Sequence, residues 1–361
     1  MINNTIMTAT LLAAALAAPA SAGDLAIYNW ADYFGETTIS GYEAATGAKV
    51  TLDYFDSNEV LETKMLAGGS GYDVVFPAAS NAERQLQAGA LHPIDPSRLA
   101  NYGNLRPEIL ASLDQVPGGR ELGVPYTWGT IGIGYNPAQI AERLGDLPAA
   151  SWDLLFNPDY ASKLKDCGIA VLDSPVEMLA VTLNYLGADP YTEDKAEIAR
   201  AQDLLAAAAQ NISYFSNQKP STDLPAGNLC LAVMYSGDAG LAQARAMEAG
   251  NGVEIRYAIP KEGTLMWIDL MAIPKDAANP DAAYAFIDYM LRPEVIAEVS
   301  NTVFFANANS AADAHVLPEI LSDPGIYPDA ATLARLFPDK SLGGKALRQR
   351  TRAWTKVKSG I

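Results

Sequence analysis

Two hydrophobic periods take turns along this chain. Leu25, Ile27 and the aromatic residues up to Trp30 read as a strand that runs into Ala31-Asp32-Tyr33-Phe34. The spacing then predicts a helix over Thr37–Thr46 closed by Gly47 and a strand over Lys49–Phe55. A helix over Ser57–Ala67, a strand over Tyr72–Pro77 and a helix over Asn81–Ala88 follow. Strands alternating with helices of this length imply a parallel sheet with right-handed crossovers. In such sheets ligands sit beyond the carboxyl ends of the strands. Trp30-x-Asp32 and Ala78-Ala79-Ser80 both fall at that edge.

Residues 92–121, rich in Pro, Gly and Asn, read as surface connections. Two extended pieces, Leu122–Tyr126 and Thr130–Tyr135, flank Trp128-Gly129 and are the candidate crossing into a second lobe. A second series comprises strand Ile169–Leu172, helices Val176–Leu186 and Ala196–Ala209, strands Ile212–Phe215 and Leu229–Tyr235, and helix Ala239–Ala249. Strands Val253–Ile259 and Leu265–Ile273 come next, then a helix over Asp281–Leu291 opened by Asn279-Pro280. Residues 311–361 read as short helices with a basic end, Lys345–Lys358.

At 361 residues the chain holds two domains or one large one. Residues 1–22 carry an apolar run ending in Pro19-Ala20-Ser21-Ala22, the pattern of an export signal, although its first residues lack Lys and Arg. The expectation is a mature chain from Gly23, soluble and most simply periplasmic. The net charge of −17 argues against nucleic acid, which needs clustered Lys and Arg. Cys167 and Cys230 favour a disulfide in an exported chain, with two buried free thiols as the alternative.

Catalytic chemistry finds little support. The histidines are His92 and His315, neither with a partner at metal-ligand spacing, and no Gly-x-Ser-x-Gly elbow is present. Gly129-Thr130-Ile131-Gly132-Ile133-Gly134 lacks the strand–turn–helix setting and the lysine of a phosphate loop, so close backbone packing explains it better.

What remains is a recurring pairing of aromatic rings with carboxylates: Trp30-x-Asp32-Tyr33, Tyr235-x-x-Asp238 and Trp267-x-Asp269. Along a strand i and i+2 share a face, so Trp30 and Asp32 could address one space. Trp30 and Tyr33 as core with Asp32 as a turn cap is the competing reading. Glu177 and Asp238 could equally serve the starts of their helices. Asp269 is different, because a carboxylate inside an apolar strand needs a buried Arg or Lys or a ligand cation.

Several stretches carry a resemblance: Tyr28-Asn29-Trp30-x-Asp32-Tyr33, Phe55-Asp56-Ser57-Asn58-Glu59-Val60-Leu61-Glu62, Ile259-Pro260-Lys261-Glu262-Gly263 and Phe305-Ala306-Asn307-Ala308-Asn309. The chain resembles the bacterial periplasmic polyamine-binding proteins of ABC importers, and Arg350–Gly360 is especially like their putrescine branch. The resemblance implies an α/β, two-lobed periplasmic-binding-protein fold (type II), each lobe a mainly parallel sheet flanked by helices. The ligand cleft would lie between lobe 1 (23–130 plus 265–310) and lobe 2 (131–264 plus 311–361). Trp30, Tyr33, Tyr235, Trp267 and Phe305 would be aromatic walls, and Asp32, Glu177, Asp238 and Asp269 would hold ammonium groups. Ser80 would line the cleft, with Ala31, Ala78 and Arg245 near it, and Cys167 and Cys230 would match the branch's disulfide. No catalytic residue, metal or cofactor is implied. The implied partners are a small-molecule polyamine and an inner-membrane ABC permease, with the receptor a monomer.

Charge and hydrocarbon together suit such a ligand. A diammonium ion needs acceptors at each end, and its methylenes need apolar cover with cation–π attraction of about 0.5–2 kcal/mol per ring. Ala31 and Ala78 replace the usual serines, Asn81 an aromatic residue, Tyr235 a Trp and Phe305 a Tyr, whereas Trp267 is closer to the spermidine receptors and Ser174 lacks their extra carboxylate. Putrescine is therefore the first expectation and spermidine the second. Another amino- or guanidino-alkane, a sensing role and an exported hydrolase are the alternatives.

Overall fold

The computed structural model describes residues 23–145 and 150–359, so the expected export signal lies outside the described residues. β1 (Leu25–Trp30) runs parallel between β2 (Val50–Phe55) and β3 (Val74–Val75). The connecting helices are α1 (Thr38–Thr46) and α2 (Asn58–Ala67), and α3 (Ala79–Gln87) follows β3. The Oγ of Ser57 accepts the Val60 N–H and so caps α2, whose inward side chains are Leu61 and Met65. β3 is shorter than its apolar run suggests, because Ala78 already begins the turn that feeds α3.

The expected crossing is one continuous strand, Val124–Tyr135, and not two pieces. Its first half packs Val124, Tyr126 and Trp128 into one core, and its second half packs Ile131 and Ile133 into another. The first half pairs antiparallel with Leu265–Met271 and Ala306–Asn307, the second with Leu231–Tyr235 and Arg256–Ala258. These crossing strands make the larger sheet mixed, while Ile169–Val171 pairs parallel with both Leu231–Tyr235 and Tyr214–Phe215. Gly129 keeps the strand unbroken at its midpoint: a Cβ there would lie 2.5 Å from Cζ2 of Trp267. Gly132 similarly leaves room for the ring of Tyr257, which is the close packing that the glycine spacing suggested.

Leu265–Met271 is the second crossing element. Leu265 and Trp267 belong to one core and Met266, Ile268 and Leu270 to the other, as strand alternation dictates. The disulfide Cys167–Cys230 forms, with Cα atoms 5.5 Å apart, at the starts of two adjacent strands in the second half.

Two further segments depart from the sequence reading. Residues 92–121 are more than surface connections: they include the helix Pro107–Leu113 and bury Leu99, Leu105, Ile109, Leu113 and Val116. Their apolar positions are too sparse to announce a regular period. The carboxyl terminus is one long helix, Gly344–Ser359, where short ones were expected. Ala346, Arg350, Ala353, Trp354 and Val357 form its buried stripe, packed on helices Lys195–Ala209 and Pro175–Tyr185, and the basic residues between them mask that stripe in the sequence. Ala312, Val316, Ile320 and Ile326 pack with the first core, although they follow residue 310.

Candidate functional site

Four aromatic rings stand edge to face in a row where the crossing strands pass between the cores. Tyr33 and Phe305 have centroids 5.9 Å apart at 84°, Phe305 and Trp267 are 5.0 Å apart at 83°, and Trp267 and Tyr235 are 6.2 Å apart at 89°. Tyr33 follows β1, Phe305 precedes the Ala306–Asn307 strand, Trp267 lies in Leu265–Met271, and Tyr235 ends Leu231–Tyr235. Two glycines make the row possible: Gly129 backs Trp267, and any side chain on Gly237 would overlap the ring of Phe305.

Each end of the row carries an acid. The Tyr33 hydroxyl donates to Oδ2 of Asp269 at 2.8 Å and also contacts Oγ1 of Thr127. The Tyr235 hydroxyl donates to Oε2 of Glu177 at 2.8 Å. Asp269 lies at a register shift, where Ile268 pairs with Trp128 but Leu270 pairs with Pro125. Pro175 opens the helix that carries Glu177 in its first turn.

Burial pushes the Asp269 carboxyl up to about 7, and the nearby charges of Asp339 and Glu177 add to the effect. Glu177 is likewise raised to about 7, by burial first and by Asp339 second. The sequence argument required a partner for Asp269; among the described residues it has a neutral hydroxyl and no buried Lys or Arg. Asp238 is also raised to about 7 by burial, against the opposing charge of Arg245. It lies inside the first turn of helix Ser236–Ala249, not ahead of it as a cap. Arg245 is occupied at the carbonyl and hydroxyl of Ser221, at 3.0 and 3.1 Å.

The remaining expected residues divide. Ser80, in the first turn of α3, donates its hydroxyl to Asp339. Ala78 forms an isolated bridge with Asp269 and so sits against the site. Trp30 packs against Phe55 with ring centroids 4.5 Å apart and planes tilted by 57°, and it gives its indole N–H to the Phe76 carbonyl at 3.0 Å. Asp32 does not continue the alternation that would have set it beside Trp30. β1 ends at Trp30, and Ala31 and Asp32 form an exposed turn with Asp32 at φ +53°.

Asp339 is the residue that sequence reasoning missed. It follows the short strand Phe337–Pro338 in an irregular Pro-Asp-Lys segment without any periodic signature. One signal was present: Phe337-x-Asp339 repeats the spacing of Trp30-x-Asp32 and Trp267-x-Asp269. Burial raises its carboxyl to about 6, against the hydrogen bond from Ser80 and the charges of Arg84 and Arg350.

Acids held above their ordinary range are poised to accept a cation, which would favour the ionised form of each. Rings between them offer apolar cover and negative faces. Among the described residues no group of three or more His, Cys, Asp or Glu could hold a metal ion. Two α/β cores, joined by crossing strands that gather such groups at the junction, define a solute receptor. The bacterial extracellular solute-binding protein family profile matches residues 37–328, and the chain belongs to that family.

The chain is 47% identical over 339 residues to the putrescine-binding periplasmic protein PotF of Escherichia coli, covering 93% of this chain and 91% of that one. It is 44% identical over 358 residues to the putrescine-binding periplasmic protein SpuD of Pseudomonas aeruginosa, covering 98% of each. Its fold matches the spermidine/putrescine substrate-binding protein PotD of Streptococcus pneumoniae with a TM-score of 0.81 at 28% identity, covering 94% of this chain and 99% of that one. These relatives are transport receptors, and the chain is not an enzyme.

Proposed function

We propose that the protein is a periplasmic receptor for polyamines, putrescine first and spermidine second, that delivers its ligand to an ABC permease in the inner membrane. The observation that carries this reading is the ring row Tyr33–Phe305–Trp267–Tyr235 with Asp269 hydrogen-bonded at one end and Glu177 at the other. A polyamine lying against it would set its ammonium groups toward these acids and its methylenes against the rings. Aromatic faces attract such a cation, and the charge-assisted contacts offset its desolvation. The putrescine-binding relatives named above support the choice of ligand.

Within this reading Asp238 and Ser80 complete the wall, Trp30 flanks it, and Asp32 acts from the rim. The two lobes meet along the crossing strands. Lobe 1 comprises 23–130 and 265–310 together with the following segment to Ile326, whose side chains pack in the first core. Lobe 2 comprises 131–264 and the remainder. The leader at residues 1–22 directs export, and the receptor works as a monomer.

The test is a thermal-shift series of the mature protein against diamines, polyamines and guanidino-alkanes. A ligand at one hundred times its Kd stabilises the folded state by about 2.7 kcal/mol, a readily visible rise in Tm. Putrescine and spermidine should produce it. The absence of a shift with every amine would end the proposal.

A further inference from the structure

We propose that the solvent face of the carboxyl-terminal helix, Gly344–Ser359, docks the receptor on anionic phospholipid headgroups of the membrane that holds its permease. Its setting rests on the periplasmic receptor reading, its substance on charge. Residues 340–361 hold seven of the chain's 25 Lys and Arg and no Asp or Glu. Residues 1–339 are left with 18 bases against 42 acids, a net −24. An acidic chain that gathers cations at one end presents a basic face, and such a face suits an anionic surface.

The helix sorts those cations by their partners. Arg350 is buried and donates to the carbonyls of Val176 and Pro190, at 3.3 and 2.6 Å. Lys358 holds Asp173 at 2.8 Å. Lys345, Arg348, Arg352 and Lys356 are exposed, and among the described residues none of them forms a salt bridge. Steps of three, four and four residues keep them within roughly 80° of the helix circumference. That arc lies away from the buried stripe of Ala346, Arg350, Ala353, Trp354 and Val357. At a rise of about 1.5 Å per residue the four charges form a line about 16 Å long. The adjoining helix Lys195–Ala209 balances Lys195 and Arg200 against Glu197 and Asp203, so it adds no net charge beside the line.

A membrane surface suits this line better than a folded protein partner. Thr351 and Thr355 are the exposed side chains between the cations. The exposed large apolar residues, Tyr54, Val60, Leu66, Met247 and Leu317, lie on other segments. A specific protein interface is anchored by buried aromatic or apolar side chains, which this face lacks among the described residues. Headgroups need no such anchor, because each Lys or Arg near an anionic bilayer adds its own attraction. The helix's apolar stripe is covered by helices Lys195–Ala209 and Pro175–Tyr185, so contact stays at the level of the headgroups. At about 0.1 M salt the Debye length is about 10 Å, and a bilayer senses the facing helix more than the acidic body behind it.

Vesicle flotation at about 0.1 M salt tests the proposal, with vesicles of equal parts phosphatidylglycerol and phosphatidylcholine set against phosphatidylcholine alone. Wild type should float with the anionic vesicles only, and about 0.5 M salt should release it. A variant carrying Lys345→Gln, Arg348→Gln, Arg352→Gln and Lys356→Gln should lose at least tenfold in bound fraction and keep its putrescine affinity in a titration. A control carrying Lys49→Gln, Lys163→Gln, Lys165→Gln and Lys275→Gln removes the same charge from other exposed sites and should lose less than threefold. No binding of wild type to anionic vesicles, undiminished binding of the first variant, or equal losses in both variants would overturn the assignment. So would binding of wild type only to vesicles that contain the permease, which would give the face to a protein partner. If the first variant fails to fold, wild type decides alone, and flotation that ignores salt or lipid charge counts against the docking face. Flotation that depends on the four cations in a protein that binds no amine would instead refute the receptor reading and leave the docking face standing.

Discussion

Replacing Asp269 by Asn should move affinity and stability in opposite directions. The Asp269 side chain is 8% exposed and its carboxyl is raised from 3.8 to about 7, mainly by burial. That displacement corresponds to roughly 4 kcal/mol against the charged form, at 1.36 kcal/mol per pKa unit. It is an upper bound, because protonation near neutral pH relieves part of the cost. An Asn of the same shape can still accept the Tyr33 hydroxyl, which lies 2.8 Å from Oδ2. Asp269→Asn should therefore raise the Tm of the free protein at pH 8, by an amount that is smaller at pH 5, where the folded carboxyl is already neutral and only the ionisation of the unfolded chain still opposes folding. Amine affinity should nevertheless fall at least tenfold, about 1.4 kcal/mol or more, because the ammonium loses its anion. Differential scanning calorimetry at both pH values, paired with isothermal titration at pH 8, reads both quantities. Unchanged affinity, or a Tm that drops equally at pH 5 and pH 8, would refute the argument that this acid is held ready for a ligand cation.

Other expectations follow from the same geometry. Glu177, Asp238 and Asp269 are raised to about 7 and Asp339 to about 6. The folded protein thus binds extra protons between about pH 4 and 7, so this contribution to stability falls as pH rises through that window. Free protein should melt higher at pH 5 than at pH 8 on this account, while the amine-induced rise in Tm should be larger at pH 8; a larger rise at pH 5 would contradict it. Gly237→Ala should press a methyl group into the Phe305 ring, costing about 1–3 kcal/mol of strain and weakening amine binding severalfold in a titration. Replacing Cys167 and Cys230 by Ser opens a link spanning 63 residues. The chain-entropy argument assigns that link about 4 kcal/mol. The denaturant midpoint should fall while amine affinity below the transition is retained, and an unmoved midpoint would reject the estimate.

Local information went far in this chain. The alternation of periods in residues 25–88 announced β1, α1, β2, α2 and α3 to within a residue or two at most ends. Helix stops at Gly47 and Gly68 were legible because glycine there adopts positive φ. Chemistry was legible too: ring-and-acid pairs mark Trp267 with Asp269, and a carboxylate in an apolar strand demands an explanation wherever it occurs. Those signals depend on neighbours in sequence, which a single chain displays.

Tertiary structure decided which of those acids share a space. Asp32 and Asp339 have the same aromatic-x-Asp spacing, yet Asp32 falls on an exposed turn because β1 stops two residues earlier. Asp339 is drawn to the core junction because its strand pairs with Leu265–Met266. The long crossing strand was read as two pieces because it changes cores at Gly129, where what matters is the Trp267 ring more than a hundred positions away. The same holds for the final helix, whose buried stripe is defined by the helices it covers. Periodicity tells a residue which side of its own element it occupies; burial and charge depend on what arrives from elsewhere, and that is settled only when distant segments meet.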